Sequence, residues 1–391
     1  MQIFSKVIKE KERVYSPLAS LSPLSDILYL DLETTGLSAH HNRIFLIGCA
    51  YHTSSGWTIT QWFDDTGEGE SDILNSFLIF AKPFGTFVHY NGSRFDIPFL
   101  VRRIEADRLN NVIANKKSVD LYRMIRPYKK ILSLENYQQQ TIERYMGTGR
   151  TESRSGAELV ELYHQYLQDP RPDLSAPIIA HNEADVRGLI GITPVIGMQD
   201  VFTACLLCTK AGADYYTGVD GARHEELILE CRMQDVPYAG EILKKPVSAT
   251  ADGCYMTANG ADVNIKVPIY REEMKYFYAN FRDYYYLPGR DEALHKSIAG
   301  FIDKEKREQA KAENCYTRKK GSFLPEWALF REPFFKRSYR DKDAFFEFSD
   351  EMKKDRSFFS DYATYIYRHI VGRLGVPAPK ANTAAQMPDD D

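Results

Sequence analysis

The feature that most constrains this chain is a pair of acids built into an apolar strand. The run Ile27–Leu32 contains Asp31, and Glu33 follows two positions later. Side chains two apart on a strand share a face, so we expect both carboxylates on one side, with Cα atoms about 6.5 Å apart. An ionised carboxylate without a partner is costly in a buried strand, so the pair requires a cation, and a metal ion is the obvious one. Taken alone, the pattern is more simply explained as an exposed acidic pair at a strand end.

Two further acidic motifs also lie beside predicted strand ends or helix starts. Asp96 opens a predicted helix after a tight turn that begins at Asn91. His181 and Asp185 are four residues apart in a helix predicted to start near His181, so they share one helical face. Each motif has a plainer explanation. Asp96 is a favourable acid at a helix amino terminus, and Asn182 is a cap of an exposed helix.

The order of apolar runs predicts an α/β domain followed by a different kind of region. Residues 25–200 alternate short apolar strands with helical segments. Within them Ile44–Tyr51 and Thr58–Phe63 predict a hairpin, so the sheet is mixed and flanked by helices. We assign residues 1–24 to an N-terminal extension, 201–375 to a smaller α+β region and 376–391 to a disordered tail.

Composition narrows the function classes further. The chain has 391 residues, which favours two domains, and a net charge of −4, so any nucleic-acid site must be a local patch. Its uncharged stretches are shorter than the roughly 18 apolar residues that a membrane span needs. The start of the chain alternates Lys and Glu and does not resemble a secretory signal, so we expect a cytoplasmic protein.

The cysteines indicate reduced thiols. Six are spread over the chain, and only Cys205 and Cys208 are close together. These two resemble half of a zinc site, but no second pair follows them. We therefore interpret them as ordinary cysteines on a helix face.

Taken together, the motifs resemble a known superfamily. The stretches "DLETTGL", "HYNGSRFDIPFL", "VDLYRMIRPYKK" and "HNEADV" are similar to the YprB-type ribonuclease-H-like family within the DEDD 3′–5′ exonucleases, over residues 27–189. The resemblance implies a ribonuclease-H-like fold and hydrolysis of phosphodiester bonds from a 3′ end. It also implies that two divalent ions, Mg²⁺ or Mn²⁺, are bound by four acids: Asp31, Glu33, Asp96 and Asp185. We expect Asp31 to be the ligand that both ions share.

The chain departs from the superfamily pattern at one position. The superfamily has either a His five positions or a Tyr four positions before its last Asp. His181 stands four residues before Asp185, so it combines the His of one subgroup with the spacing of the other. Whether His181 is a general base or only orients the attacking water is therefore open. The candidates for holding the terminal nucleotide are the backbone at Thr34–Gly36, including Thr34 and Gly36, and the Asn91 side chain.

Three questions of function stay open at this stage. The motifs do not distinguish DNA from RNA, because no motif identifies a contact to the 2′ position. A structure-specific endonuclease with the same metal site remains an alternative. So does a module that binds nucleic acid, for example a single-stranded 3′ end, without cutting it.

A basic and aromatic stretch near the carboxy terminus is a second candidate site. Between Cys315 and Lys342 there are eight Lys or Arg residues against three acids, with aromatic residues interleaved. This is the composition of a platform for single-stranded nucleic acid. The alternative is a small domain whose aromatic residues are its core and whose charges are solvated. The binding candidates are Lys319, Lys320, Lys336 and Arg337.

Overall fold

The computed structural model describes residues 1–8, 22–150, 154–218 and 221–376. The chain divides into two compact units. The first comprises Met1–Thr203, Val236–Pro246 and Leu374–Asp391, and the second comprises Ala204–Asp235 and Val247–Arg373. The predicted disordered tail lies, apart from Val376, outside the described residues, as do residues 9–21 of the predicted N-terminal extension.

A mixed sheet forms the centre of the first unit. Its strands are β1 (Gln2–Val7), β2 (Ile27–Thr34), β3 (Ile44–Thr53), β4 (Gly56–Phe63), β5 (Thr86–His89) and β6 (Lys117–Asp120). Their order is β1-β4-β3-β2-β5-β6. Strands β1 to β4 pair antiparallel, whereas β5 pairs parallel with both β2 and β6. The predicted hairpin and mixed sheet are therefore present.

Helices cover both faces of this sheet. They are α1 (Glu70–Ala81), α2 (Asp96–Ala106), α3 (Leu121–Ile125), α4 (Lys129–Leu132), α5 (Gln139–Met146), α6 (Gly156–Gln168), α7 (Pro172–Ile192), α8 (Met198–Thr203) and α9 (Ala239–Ile242). Short 3-10 helices lie at Leu24–Asp26, Arg126–Tyr128 and Thr193–Gly197. The helix expected to start near His181 begins instead at Pro172, because proline suits the first turn of a helix. Asn182 is therefore in the interior of α7 and is not a cap.

The alternation of side chains along β2 separates the core from the site. Leu28, Leu30 and Leu32 point to one face, where they join the buried cluster that includes residues of α1 and α2. Asp31 and Glu33 therefore point to the opposite face. That face is covered by α7, which packs against β2, β3 and β4.

The second unit is built mainly from antiparallel strands. These are β7 (Leu206–Thr217), β8 (Arg223–Met233), β9 (Val247–Ala251), β10 (Cys254–Asn259), β11 (Asp262–Phe277), β12 (Tyr284–Leu287), β13 (Glu292–His295), β14 (Glu308–Gln309), β15 (Tyr316–Glu326), β16 (Phe334–Phe335) and β17 (Ala344–Glu347). Its helices are α10 (Lys296–Ala299) and α11 (Arg356–Arg373), with 3-10 helices at Phe281–Asp283, Lys304–Lys306 and Met352–Lys354. Strands β12 to β14 form a separate three-stranded sheet, and the others form an eight-stranded sheet. The unit combines strands and helices, as expected for an α+β region, but the segment Val236–Pro246 within the predicted range 201–375 belongs to the first unit.

The assignment of Cys205 and Cys208 to a helix face was wrong. Cys208 lies in β7, where it is opposite Cys231 of β8, and Cys205 precedes that strand. Most side chains of β7 are exposed, so its sequence lacks the apolar alternation typical of a strand. The strand forms because its backbone pairs with β8. All six cysteines are free thiols. No described helix is long and apolar enough to cross a membrane.

Candidate metal centre

Asp31 is held from the neighbouring strand and from α7. It is paired in register with Gly48 of β3. Asn182 occupies the space that a side chain at position 48 would need, since a Cβ there would lie 1.9 Å from its Oδ1. Asn182 Nδ2 donates to Asp31 Oδ2 at 2.9 Å, while Asn182 Oδ1 accepts from Gln61 Nε2 at 2.9 Å. Because Gln61 fixes which way the amide points, the amide presents its N–H group to the Asp31 carboxylate.

Helix α7 also brings His181 and Asp185 to Glu33. His181 Nε2 lies 3.0 Å from Asp185 Oδ2. Ligand atoms of Glu33, His181 and Asp185 all lie within 4.8 Å of one another, a spacing suited to a metal ion. Two of the predicted acids and the predicted histidine therefore meet at one point on the covered face of the sheet.

Asp96 reaches the same region from the amino terminus of α2. It is 8% exposed, and its carboxylate lies close enough to those of Asp31 and Glu33 to raise their pKa values. The loop before it is held by Asp120, which accepts from the backbone N–H of Asn91 at 2.8 Å and of Ser93 at 3.2 Å. The tight turn predicted here is present, and Asp96 opens the helix as predicted.

The charges of these acids are mutually unfavourable without a cation. Burial raises the pKa of Asp31, and the nearby carboxylates of Asp185, Glu33 and Asp96 raise it further. For the same two reasons, burial first, the pKa of Glu33 is raised to about 8. Burial also raises the pKa of Asp96 to about 7. Repulsion of this kind is relieved when a multivalent cation binds.

Asp185 differs from the other acids because it already has cationic partners. Burial raises its pKa, but hydrogen bonds from His181 and Arg150 outweigh burial, and the pKa is lowered. Burial likewise opposes the charged form of His181, yet the hydrogen bond and charge of Asp185 raise its pKa. Each member of this pair therefore favours the ionised form of the other.

Arg150 is a site residue that the sequence analysis missed. Its Nη2 lies 2.7 Å from Asp185 Oδ1, and its Nε lies 3.2 Å from Oε2 of the buried Glu143. The side chain is only 12% exposed. No motif links Arg150 to an acid 35 positions later, so only the folded chain identifies the contact.

The donor set fits Mg²⁺ or Mn²⁺. Carboxylate oxygens are the hard ligands that these ions prefer. In three of the four acids, burial and neighbouring carboxylates outweigh the nearby cations, so their pKa values stay raised. The side chains that would hold the ions are those of Asp31, Glu33, Asp96 and Asp185.

The remaining predicted binding residues fall into two groups. In the first unit, Thr34 Oγ1 donates to the Gly36 carbonyl at 2.9 Å, and the backbone of Asn91 has a φ of 57°, the left-handed conformation of its turn. The other group belongs to the second unit, where two members already have acidic partners. Lys319 pairs with Glu347 at 2.6 Å and Arg337 with Glu272 at 2.7 Å. Lys336 Nζ donates to a backbone carbonyl at 2.8 Å, and Lys320 is exposed.

The first unit is a ribonuclease-H-like domain. Residues 28–195 match the RNase_H_2 family, which is described as part of the RNase_H superfamily. Over 172 residues the chain is 29% identical to YprB of Bacillus subtilis (strain 168), a protein whose own name calls it uncharacterized. The resemblance to YprB-type ribonuclease-H-like proteins is thereby confirmed. The match covers 43% of this chain and 41% of that relative, so the chain spans about two fifths of its length.

Several solved structures have a distant likeness to the chain. The EXO domain of Nibbler from Aedes aegypti is 14% identical with a TM-score of 0.30, and the match covers 47% of this chain and 84% of that one. Exonuclease I of E. coli, solved in complex with a dT13 oligonucleotide, is 9% identical with a TM-score of 0.30, and covers 91% of this chain and 75% of its own.

Proposed function

We propose that this protein is a metal-dependent nuclease that hydrolyses phosphodiester bonds of DNA or RNA as a 3′–5′ exonuclease with two divalent ions. The observation that carries the proposal is the convergence of Asp31, Glu33, Asp96 and Asp185 on one buried region of a ribonuclease-H-like domain. Three of these carboxylates are held near each other at an electrostatic cost, which a metal-binding function explains. We also propose that the protein is cytoplasmic.

The chain's own residues have separable roles in this proposal. Bound divalent ions would supply Lewis-acid stabilisation of the negative charge that develops on the phosphodiester. Asn182 orients the Asp31 carboxylate through its 2.9 Å hydrogen bond. Arg150 favours the ionised form of Asp185 through Oδ1, while His181 contacts Oδ2. These contacts preorganise the acids, so that little reorganisation is needed when substrate arrives.

His181 is proposed to orient the attacking water. Its Nε2 is already engaged with Asp185 at 3.0 Å, which fixes the ring on α7. Thr34, Gly36 and Asn91 are proposed to hold the terminal nucleotide. Thr34 ends β2, which carries Asp31 and Glu33, Gly36 lies in the loop after β2, and Asn91 lies in the loop between β5 and Asp96.

A time course on end-labelled nucleic acids tests the proposal. Single-stranded and double-stranded DNA and RNA would be incubated with Mg²⁺ or Mn²⁺, each labelled at the 5′ end. A 3′–5′ exonuclease gives a ladder that shortens one nucleotide at a time, whereas an endonuclease gives internal fragments first. Asp31→Asn and Asp96→Asn should nearly abolish hydrolysis, because each removes a metal-binding charge.

The control for these variants is Glu105→Gln. Glu105 lies on the same helix as Asp96 but is exposed, and among the described residues its ion pair is with Arg102, so its loss should leave hydrolysis unchanged. Hydrolysis by Asp31→Asn at the wild-type rate, or no hydrolysis of any substrate by the wild type, would contradict the proposal. Tight binding without cleavage would identify a binding module instead.

A further inference from the structure

A groove lined by arginines adjoins the loop that leads into Asp96. It has a volume of about 500 Å³, within the range of about 300 to 1,000 Å³ typical of ligand pockets. We call it the arginine groove, and its lining includes Asn91, Arg94, Tyr122, Arg123, Arg126 and Pro127. Its two main walls are therefore the loop that ends at Asp96 and α3 with the 3-10 turn that follows it, and Gly375 completes the lining.

Asp120 holds both walls in place. It accepts from the backbone N–H of Asn91 and Ser93 on the loop side. On the other side it caps α3 by accepting from the backbone of Tyr122 and Arg123. A single buried carboxylate thus fixes the spacing of the two walls, so the groove is preformed.

The groove has an excess of positive charge. Arg94 and Arg126 are exposed and form no ion pair with a carboxylate in the part of the chain that the structure describes. Arg123 has Asp120 at 3.9 Å, but that carboxylate is 3% exposed and already accepts several backbone hydrogen bonds. Arginine presents a planar fork of donors that matches a phosphate group. The chemistry that suits the groove is therefore a phosphodiester anion.

The aromatic part of the groove suits the rest of a nucleotide. Tyr122 contributes a ring to the lining, and Tyr90 packs against it edge to face with centroids 5.7 Å apart. Aromatic rings beside cationic side chains are the elements by which proteins hold single strands without sequence preference.

We propose that the arginine groove binds the backbone of the substrate strand next to the nucleotide being removed. This inference rests on the proposed nuclease function and deepens it, because it makes the substrate an extended strand and not a mononucleotide ester. The acid cluster repels a polyanion, and the groove supplies the compensating attraction one loop away from Asp96.

The test compares two substrates and two pairs of arginines. The substrates are a labelled single-stranded oligonucleotide of about 16 nucleotides and the p-nitrophenyl ester of thymidine 5′-monophosphate. The groove variant is Arg94→Ala/Arg126→Ala. The control, Arg102→Ala/Arg144→Ala, removes the same charge from exposed arginines of the same unit that pair with Glu105 and Glu135.

The groove variant should raise KM for the oligonucleotide about tenfold or more, and the control should raise it less than about twofold. For the groove variant, the loss in kcat/KM on the ester should be about tenfold smaller than the loss on the oligonucleotide. The slope of log affinity against log salt should flatten by about 1.4, since each phosphate contact to a single strand contributes about 0.7. Arg94→Lys/Arg126→Lys should restore the salt slope, because it restores the charge.

Binding to the same oligonucleotide in EDTA separates this inference from the proposed function. If the wild type hydrolyses the strand but groove and control variants have equal KM and salt slope, the groove inference is overturned and the nuclease stands. If nothing is hydrolysed but the groove variant alone weakens binding, the nuclease proposal fails and the groove stands. Arg94→Gln/Arg126→Gln replaces the Ala variant if that variant's thermal unfolding midpoint is lowered.

Discussion

Glu33 and Asp185 are close enough to bind the same metal ion, yet their pKa values are shifted in opposite directions. Burial and neighbouring carboxylates raise the pKa of Glu33 to about 8. Asp185 is buried too, but His181 and Arg150 lower its pKa. The difference arises because Asp185 contacts both His181 and Arg150 directly, whereas burial and neighbouring carboxylates outweigh the attraction of these cations for Glu33. The uncompensated charge is therefore concentrated on Glu33, Asp31 and Asp96.

The metal-free protein should become more stable as the pH falls. Because the pKa of Glu33 is about 8 in the folded chain against an ordinary 4.5, the folded state binds the proton more tightly. The free energy of unfolding should then decrease as pH rises from about 4.5 to about 8. Urea unfolding in EDTA across this window measures the trend. Glu33→Gln should flatten it, while Glu105→Gln should retain the wild-type trend, and equal trends would contradict the assignment of the charge to Glu33.

His181 can be tested by two replacements that separate its roles. If it orients water through a hydrogen bond, His181→Tyr should keep substantial activity, because a phenol can make that bond from a spacing of four residues. His181→Ala should lower turnover by roughly 10² or more. Steady-state rates between pH 5.5 and 9, about the range in which histidine titrates, give the check. A His181→Tyr enzyme as inactive as His181→Ala, with a lost ionisation near neutral pH, would identify a general base.

At the scale of elements, the site depends on how closely α7 approaches β3. Gly48 allows this approach, since a Cβ at that position would lie 1.9 Å from Asn182 Oδ1. The close contact lets Asn182 reach Asp31 and Gln61 at once. The site therefore requires both the absence of a side chain at Gly48 and the amide of Asn182.

Gly48→Ala should displace Asn182 and so disturb Asp31. We expect a loss of about 1 to 3 kcal/mol in the free energy of unfolding, as for other overpacked cores, and a fall in turnover of about tenfold. Gly212→Ala is the control, since a Cβ there meets nothing within 4 Å. Asn182→Ala removes the clash, so the double variant Gly48→Ala/Asn182→Ala should recover stability but not activity. Additive stability losses in the double variant would contradict this account.

Local patterns predicted part of this arrangement and missed the rest for a physical reason. Asp31 with Glu33, and His181 with Asp185, are recognisable because the period of a strand or helix alone places each pair on one face. The contact of Asn182 with Asp31 joins residues 151 positions apart, so it depends on the packing of α7 against the sheet. The same holds for Arg150 and Asp185, which no short-range period connects.

At the scale of the whole molecule, the ribonuclease-H-like domain contains every candidate metal ligand, and the second unit contains the basic and aromatic stretch. That stretch is less available to a ligand than its composition indicates. Arg337 lies over the rings of Tyr270 and Phe345, at 4.8 and 4.7 Å from their centroids, and also pairs with Glu272. Such contacts also suit the alternative, in which the aromatic residues form a core beneath solvated charges.

The salt dependence of binding decides between these two interpretations of the second unit. Replacing Lys319, Lys320, Lys336 and Arg337 with Ala would remove a slope of about 2.8 if all four contacted phosphates, at about 0.7 each. Because Lys319 and Arg337 are paired with acids, we expect a flattening of about 1.4. Glu272→Gln/Glu347→Gln should steepen the slope, since it releases both cations from their partners. Binding of a labelled oligonucleotide in EDTA across a salt series gives both values, and slopes equal to wild type in both variants would show that these residues form a solvated surface.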